Sequence, residues 1–411
     1  MLILKNIKQL VQVNTNELVR GKEMATLNTI DNAWLCMHHG KIDSFGAMDN
    51  FPELTEHDKV EIKDVSGKYV MPCWCDSHTH IVFAGPRHSE FVDRIKGLSY
   101  EQIAANGGGI LNSALLLNQT TEEELLESAY YRLRNMIHLG TGAIEIKSGY
   151  GLTVEGELKM LRVIQQLKQM TDVIIKSNFL GAHAIPLQYK NNRQAYIDLI
   201  IDKMLPIVAE EKLADFIDVF CDRGFYTIQE LEQILEAGIK YGLTPKIHAN
   251  QLDNIGAVQV AVKYGAASVD HCEHITHAEI DSLLPSQTIP TLLPSAAFFL
   301  GLNYQPARFM IDSGLPIALA TDYNPGSSPS GSMPFVLSLA CVKLKMTPAE
   351  AINAATINSA YAMKVNNIAG SISKGKAANV FVTNKIPSLD YIPYSFTENC
   401  IEQVYIKGKL V

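Results

Sequence analysis

Residues 70–80 read VMPCWCDSHTH, an apolar run that ends in an acid and two histidines. The same plan, an apolar run closed by a polar or ionisable residue, recurs at 143–147, 173–183, 216–222, 245–248, 267–271, 289–293 and 316–322. Amphipathic stretches separate the runs, and several carry helix-start signals. Thr121 with Glu124, Thr227 with Glu230, and Thr347-Pro348 with Glu350 each fit a capping box, in which hydroxyl and carboxylate satisfy two orphaned amide donors. Strands that alternate with helices build a parallel sheet, and eight of them close a (β/α)8 TIM-type barrel. On the helix after Thr121, residues Leu126, Ala129, Leu133, Met136 and Ile137 share one face at helical spacing and are expected to pack on that barrel.

Outward from the barrel the pattern changes. Residues 1–66 read as short β segments, with a hairpin at 33–37 and 41–45 turning through His38-His39-Gly40. Beyond residue 360 strand character returns at 370–383 and 404–411, punctuated by Gly375 and Gly408. Chain termini often lie close together. The expected organisation is therefore a barrel at 67–360 and a small discontinuous β-sandwich domain built from 1–66 and 361–411.

Composition excludes several classes. With 47% apolar and 19% charged residues, the 411-residue chain has the makings of a packed core and not of a disordered one. Its 35 basic and 43 acidic residues give a net charge of −8 with no basic cluster, so no nucleic-acid partner is expected. The apolar stretches are strand-sized, too short for a membrane span, and Lys5 and Lys8 interrupt the N-terminus where a signal peptide needs its apolar core. A cytoplasmic location without membrane association is expected. Seven scattered cysteines fit reduced thiols better than a disulfide framework.

The candidate chemistry sits at the strand ends, where barrels of this kind carry their active sites. Along a strand His78 and His80 point the same way and can share one cation. Alone, such a pair is a weak signal. His248, His271 and Asp322 close three further runs, and on the last one Ala318 and Ala320 share a face with Asp322, leaving room at the barrel mouth.

Asp76-Ser-His78-Thr-His80, Phe83-Ala-Gly-Pro-Arg87, EIKSGYGL at 145–152, Gly181-Ala-His183-Ala, Lys246-Ile-His248-Ala, Val269-Asp-His271 and TDYNPGS at 321–327 together resemble the amidohydrolase superfamily and, within it, the imidazolonepropionases. The resemblance covers nearly the whole chain. It implies metal ligands His78, His80, His248 and Asp322. It places Arg87, Tyr150, His183, Gln251, Asn324, Gly326 and Ser327 around a small anionic heterocyclic substrate. The implied reaction is hydrolysis of 4-imidazolone-5-propanoate to N-formimidoyl-L-glutamate in histidine degradation, with Asp322 and His271 as the catalytic proton carriers. Imidazole and carboxylate ligands suit zinc or iron. The fourth run ends Val-Phe-Cys-Asp222 without the lysine that bridges two ions in binuclear relatives, so one divalent metal per chain is expected. A homodimer is the expected assembly.

Two positions depart from the pattern. Cys73 follows Pro72 where the family has glycine, and Gln251 stands where the family has an acid that contacts the substrate ring. An amide can hydrogen bond but cannot shuttle a proton. The glycine-rich stretch at 106–109 is expected to be a loop covering the site. The alternatives are a purine or pyrimidine deaminase sharing the metal set, which would not need Arg87, and a non-catalytic scaffold of the same fold.

Overall fold

The computed structural model describes residues 1–53, 60–98, 102 and 108–411; Asn106 and Gly107, half of the expected covering loop, lie outside them. The strands in chain order are β1 (Leu2–Val11), β2 (Thr29–His38), β3 (Lys41–Ala47), β4 (Glu61–Asp64) and β5 (Tyr69–Pro72), then β6 (Trp74–Thr79), β7 (Thr141–Lys147), β8 (Ile174–Ala182), β9 (Phe216–Cys221), β10 (Thr244–Ala249), β11 (Ser268–His271), β12 (Ile289–Leu292) and β13 (Ala318–Leu319), and finally β14 (Val380–Thr383), β15 (Ile401–Ile406) and β16 (Lys409–Leu410).

β6 to β13 form one parallel sheet in chain order, a TIM-type barrel. It closes through the residues just beyond β13. The Asp322 amide donates to the His78 carbonyl (3.0 Å), and the His80 amide donates to the Tyr323 carbonyl (2.9 Å). The Asp76 carboxylate accepts from the Thr321 amide (3.1 Å) and hydroxyl (2.6 Å), which fastens the last strand end to the first.

The alternation of strand side chains then separates two environments. Ile144, Ile146, Ile217, Val219, Ile247 and Val269 point outward into the main apolar core against the helices. Glu145, Lys147, Asp218, Lys246 and Asp270 alternate with them and fill the barrel interior, fully buried. The capping boxes at Thr121, Thr227 and Thr347 are all formed, and Thr276 with Glu279 makes another. On the helix Glu122–His138 the buried face is Leu125, Ala129, Leu133, Met136 and Ile137; Leu126 packs against the same core half-buried, and Leu125 joins the face the spacing gave.

The second sheet runs β16-β15-β14-β5-β1-β2-β3, with β4 paired to β1, and so draws on both ends of the chain. Its own core is apolar: Leu4, Ile7, Leu10, Leu35, Val70, Val380 and Val382 are among its members. The β2–β3 hairpin turns through His39 and Gly40, with φ 49° and 76°, the left-handed pair that a two-residue hairpin requires.

The run at 70–80 is not one strand. It divides at Cys73: β5 joins the second sheet, pairing with β1 and β14, while β6 opens the barrel. Both sheets bury this stretch, so its apolar character never changes where the chain crosses. Cys73 itself has no positive φ, so its backbone does not need glycine. Its side chain is accommodated by Gly142 on β7, where an added Cβ would lie 2.4 Å from the Cβ of Cys73. All seven cysteines are free thiols. Among the described residues no helix is long and apolar enough to cross a membrane.

Candidate active site

The strand ends converge on a histidine cluster. β6 carries His78, and His80 follows its last residue; their Nε2 atoms face each other at 3.3 Å. Asp322 Oδ1 lies 3.4 Å from the first and 3.6 Å from the second. His248, at the end of β10, brings its ring to 4.5 Å from that of His78, and its Nε2 is buried without a hydrogen-bond partner. Lone-pair nitrogens, one carboxylate oxygen and an unpartnered imidazole facing a common point are a donor set for a cation. His78, His80 and Asp322 offer ligand atoms within 4.8 Å of one another, as do His78, His248 and His271. Burial first, then the neighbouring Lys147, holds the His78 imidazole well below its ordinary pKa; burial and His183 do the same for His80. Both are therefore neutral, the form that binds metal.

The buried charges beneath explain why the rings face as they do. His78 Nδ1 donates to Asp270 (2.6 Å), and His248 Nδ1 donates to Asp218 (3.0 Å). Lys147 donates to Glu145 and Asp218, 2.7 Å each, and lies 3.4 Å from Asp270. Lys246 donates to the Ser77 carbonyl at 2.9 Å and pairs with Glu145. Two ammonium groups thus hold three carboxylates, two of which aim the histidines; such outer partners set ring orientation and ligand basicity. Burial would lower the Lys147 pKa, but Asp218, Glu145 and Asp270 outweigh it and raise it.

Above the cluster opens a cavity of about 530 Å³. His80, Arg87, Tyr150, His183, His248, Gln251, His271, Asp322, Asn324, Gly326 and Ser327 all line it, and His78 lies fully buried at its floor. His183 stacks on His80 with ring centroids 5.3 Å apart, and its Nδ1 donates to the Gly149 carbonyl (3.0 Å). Burial, reinforced by His248, pushes its pKa down to about 3, so it too is neutral. Tyr150 is buried and its hydroxyl pushed up by that burial, which keeps it a hydrogen-bond donor. The loop after Asp322 is cross-braced: Asn324 Oδ1 accepts from the Gly326 and Ser327 amides, 2.8 Å each, and Ser327 Oγ donates to Asp322 Oδ2 at 3.1 Å. Burial raises the Asp322 pKa despite His271 and His248 beside it.

The sequence reading missed several neighbours. Glu90 accepts from Arg87 Nε (2.9 Å) and Nη2 (2.5 Å), so one edge of the guanidinium is held within the protein. An i,i+3 pair of this kind was open to reading. Arg94 also lines the cavity and donates to the Gly326 carbonyl at 3.1 Å. Gly326 leaves room for the guanidinium: an added Cβ would lie 2.3 Å from Arg87 Nη1, so Arg87 would have to shift. Phe220 and Phe225 add apolar wall, and Leu300 and Leu302 more of it. Asp222, just after β9, accepts from the amides of Gln251, Leu252 and Asp253 at 2.8, 2.9 and 3.0 Å, and so fixes the turn that presents Gln251. His271 lies 3.8 Å from Glu273 across Nδ1. Burial alone would lower its pKa, yet Glu273, Asp322 and Asp270 together raise it.

Barrel, ligand cluster and cavity define a hydrolase of the amidohydrolase class that works with a divalent metal, and the profile of the amidohydrolase family matches residues 69–411. The chain is 55% identical to the imidazolonepropionase of Flavobacterium johnsoniae over 411 residues, covering 100% of this chain and 99% of that protein. With the Clostridium tetani imidazolonepropionase it shares 41% identity over 409 residues, 100% of this chain and 97% of the other. The chain belongs to the imidazolonepropionase family. Solved structures share the fold at much lower identity. Guanine deaminase from C. acetobutylicum with bound guanine superposes with a TM-score of 0.72 at 16% identity, over 100% of this chain and 99% of that one. Atrazine chlorohydrolase from Arthrobacter aurescens complexed with zinc gives 0.69 at 12% identity, over 100% and 95%.

Proposed function

We propose that the chain hydrolyses the cyclic amide of 4-imidazolone-5-propanoate to N-formimidoyl-L-glutamate, using one zinc or iron(II) ion held by His78, His80, His248 and Asp322. The observation that carries this reading is the pairing, in one cavity, of a neutral histidine and carboxylate cluster on the floor with two arginines on the wall. When bound, the ion lowers the pKa of a coordinated water toward neutrality and polarises the carbonyl under attack.

The chain's own groups do the rest. Arg87, its plane set by Glu90, and Arg94 face the propionate, supplying local positive charge in a protein of net charge −8. Tyr150 and His183 pack the ring against His80, and Gln251 gives it a hydrogen bond. Water oxygen bonds to the ring carbonyl carbon and the carbon–nitrogen bond breaks. Asp322 and His271 accept the water proton and return one to the departing nitrogen. Grip on the tail turns remote binding energy into alignment at the carbonyl.

Metal-loaded and chelated protein, each mixed with imidazolonepropanoate and followed by ultraviolet absorbance, provides the test, with guanine and cytosine as controls. Ring opening by the loaded form alone is the expected result; turnover of a control base without the imidazolone overturns the reading. Arg87→Ala is expected to raise KM roughly 10- to 100-fold, in line with loss of a charged hydrogen bond. An unchanged KM would point to a substrate without a carboxylate tail.

A further inference from the structure

The backbone after β11 does something costly. His271 and Cys272 are consecutive non-glycine residues with φ 88° and 64°, both in the left-handed region. Residues with a Cβ enter it singly and rarely, and such strain gathers where a site demands a particular placement. Here it reverses the chain so that Glu273 comes back beside the ring of the residue two before it. Glu273 Oε1 lies 3.8 Å from His271 Nδ1, and Gln305 Nε2 holds the same oxygen at 2.8 Å. His271 Nδ1 and Glu273 Oε2 are both buried without a hydrogen-bond partner. A buried ring nitrogen and a buried carboxylate 3.8 Å apart, each with an unpartnered atom, come within hydrogen-bond reach by a small ring rotation.

The same turn is stitched to the loop that carries Gln251. Cys272 donates to the Ala249 carbonyl (3.1 Å), His274 donates to the Asn250 carbonyl (2.9 Å), and Asn250 Nδ2 donates to the His274 carbonyl (2.7 Å). Gln251 presents an amide to the cavity, and the buried carboxylate behind His271 belongs to Glu273.

We infer that Glu273 is a positioning residue for the reaction proposed above: its carboxylate takes the Nδ1 proton of His271 and leaves Nε2 as the nitrogen that exchanges a proton with the reacting water. Asp270 cannot serve, because its carboxylate is engaged by His78 and Lys147. Gln305 is the brace that keeps the Glu273 carboxylate in place.

In metal-loaded protein, Glu273→Ala is expected to lower kcat roughly 10- to 100-fold with KM changed less than about twofold, the scale of a lost orienting partner. Glu273→Gln, whose amide oxygen can still accept from Nδ1, is expected to recover part of that loss. In a His271→Ala background the Glu273→Ala change should cost nothing more, because its effect passes through the imidazole. Equal fold-losses in both backgrounds, or a wild-type kcat in Glu273→Ala, overturn the inference. The ring is also read without turnover, in 15N-histidine spectra with His271 assigned by its loss in His271→Ala. An Nδ1-protonated ring that changes in Glu273→Ala supports the inference, and an Nε2-protonated ring in the wild type overturns it. Inactivity of the wild-type protein would overturn the proposed reaction and leave the spectra to decide this point.

Discussion

The interior of the barrel and the interior of the second sheet solve burial in opposite ways. Around Leu4, Ile7, Leu35 and Val380 the second sheet buries hydrocarbon, and stability follows from the area removed from water. Inside the barrel Lys147, Lys246, Glu145, Asp218 and Asp270 occupy positions that branched aliphatics could fill. Replacing buried ion pairs with apolar residues often leaves a protein as stable or more so. The charges therefore earn their place by aiming His78 and His248, and the difference separates a part built to persist from a part built to position. Lys376, buried near the second sheet, shows what happens without that purpose. It donates to the Ala369 carbonyl (3.1 Å) and the Ser371 hydroxyl (2.7 Å), no acid lies within ion-pair reach among the described residues, and burial pushes it down to about 8.

The sharpest way to break this comparison is Lys147→Met. Lys246 would remain for Glu145 and Asp270 while Asp218 lost its ammonium partner, a loss expected at about 3–5 kcal/mol in urea unfolding together with metal affinity weakened roughly 10- to 100-fold. Unchanged stability and metal content would show that the cluster is neither needed nor aiming anything. Leu35→Ala in the second sheet should cost about 2–4 kcal/mol through the cavity it leaves, while kcat of the folded protein stays at the wild-type value. A fall in kcat would mean that the two interiors are not separable. The smallest effect belongs to Lys376. In the unfolded chain it holds its proton to about 10.4, but in the folded protein only to about 8, so the unfolded state binds more protons between these values. Stability from this group is present above the upper value and lost as pH falls through the lower one. Urea midpoints should accordingly rise for wild type relative to Lys376→Met between pH 8 and 10.5, and parallel curves would contradict the assignment.

Much of the fold was legible because its signals are local. Apolar runs closed by polar residues marked the barrel strands, and hydroxyl–carboxylate pairs three residues apart marked helix starts. Local signals also explain the errors. Nothing in residues 70–80 announces the crossing at Cys73, since both sheets want apolar side chains there. Spacing picks Leu126 and passes over Leu125, and the helix uses both, Leu125 fully buried and Leu126 half-buried. Within the site, residues at strand ends could be named from periodicity and family resemblance, but most of their supporting partners could not. Asp270 lies 192 positions from His78, and Lys246 lies 101 from Glu145; no spacing rule connects such pairs. Glu273 was invisible for another reason. Strict alternation on β11 would send Asp270 and His271 to opposite faces, and only the left-handed turn at His271 and Cys272 brings both, with Glu273, to the interior.

The clasp between Asp76 and Thr321 spans 245 positions, which gives the site a timetable. His78 and His80 leave the ribosome early, whereas Asp322 follows only after seven further strands, and contacts of such separation form late because the loop between them must be closed first. During synthesis the two histidines wait as a bare pair, able to bind a metal ion only weakly. With the proposed ligand set, full ligation would arrive with the last strand, so that capture of the ion would coincide with completion of the barrel.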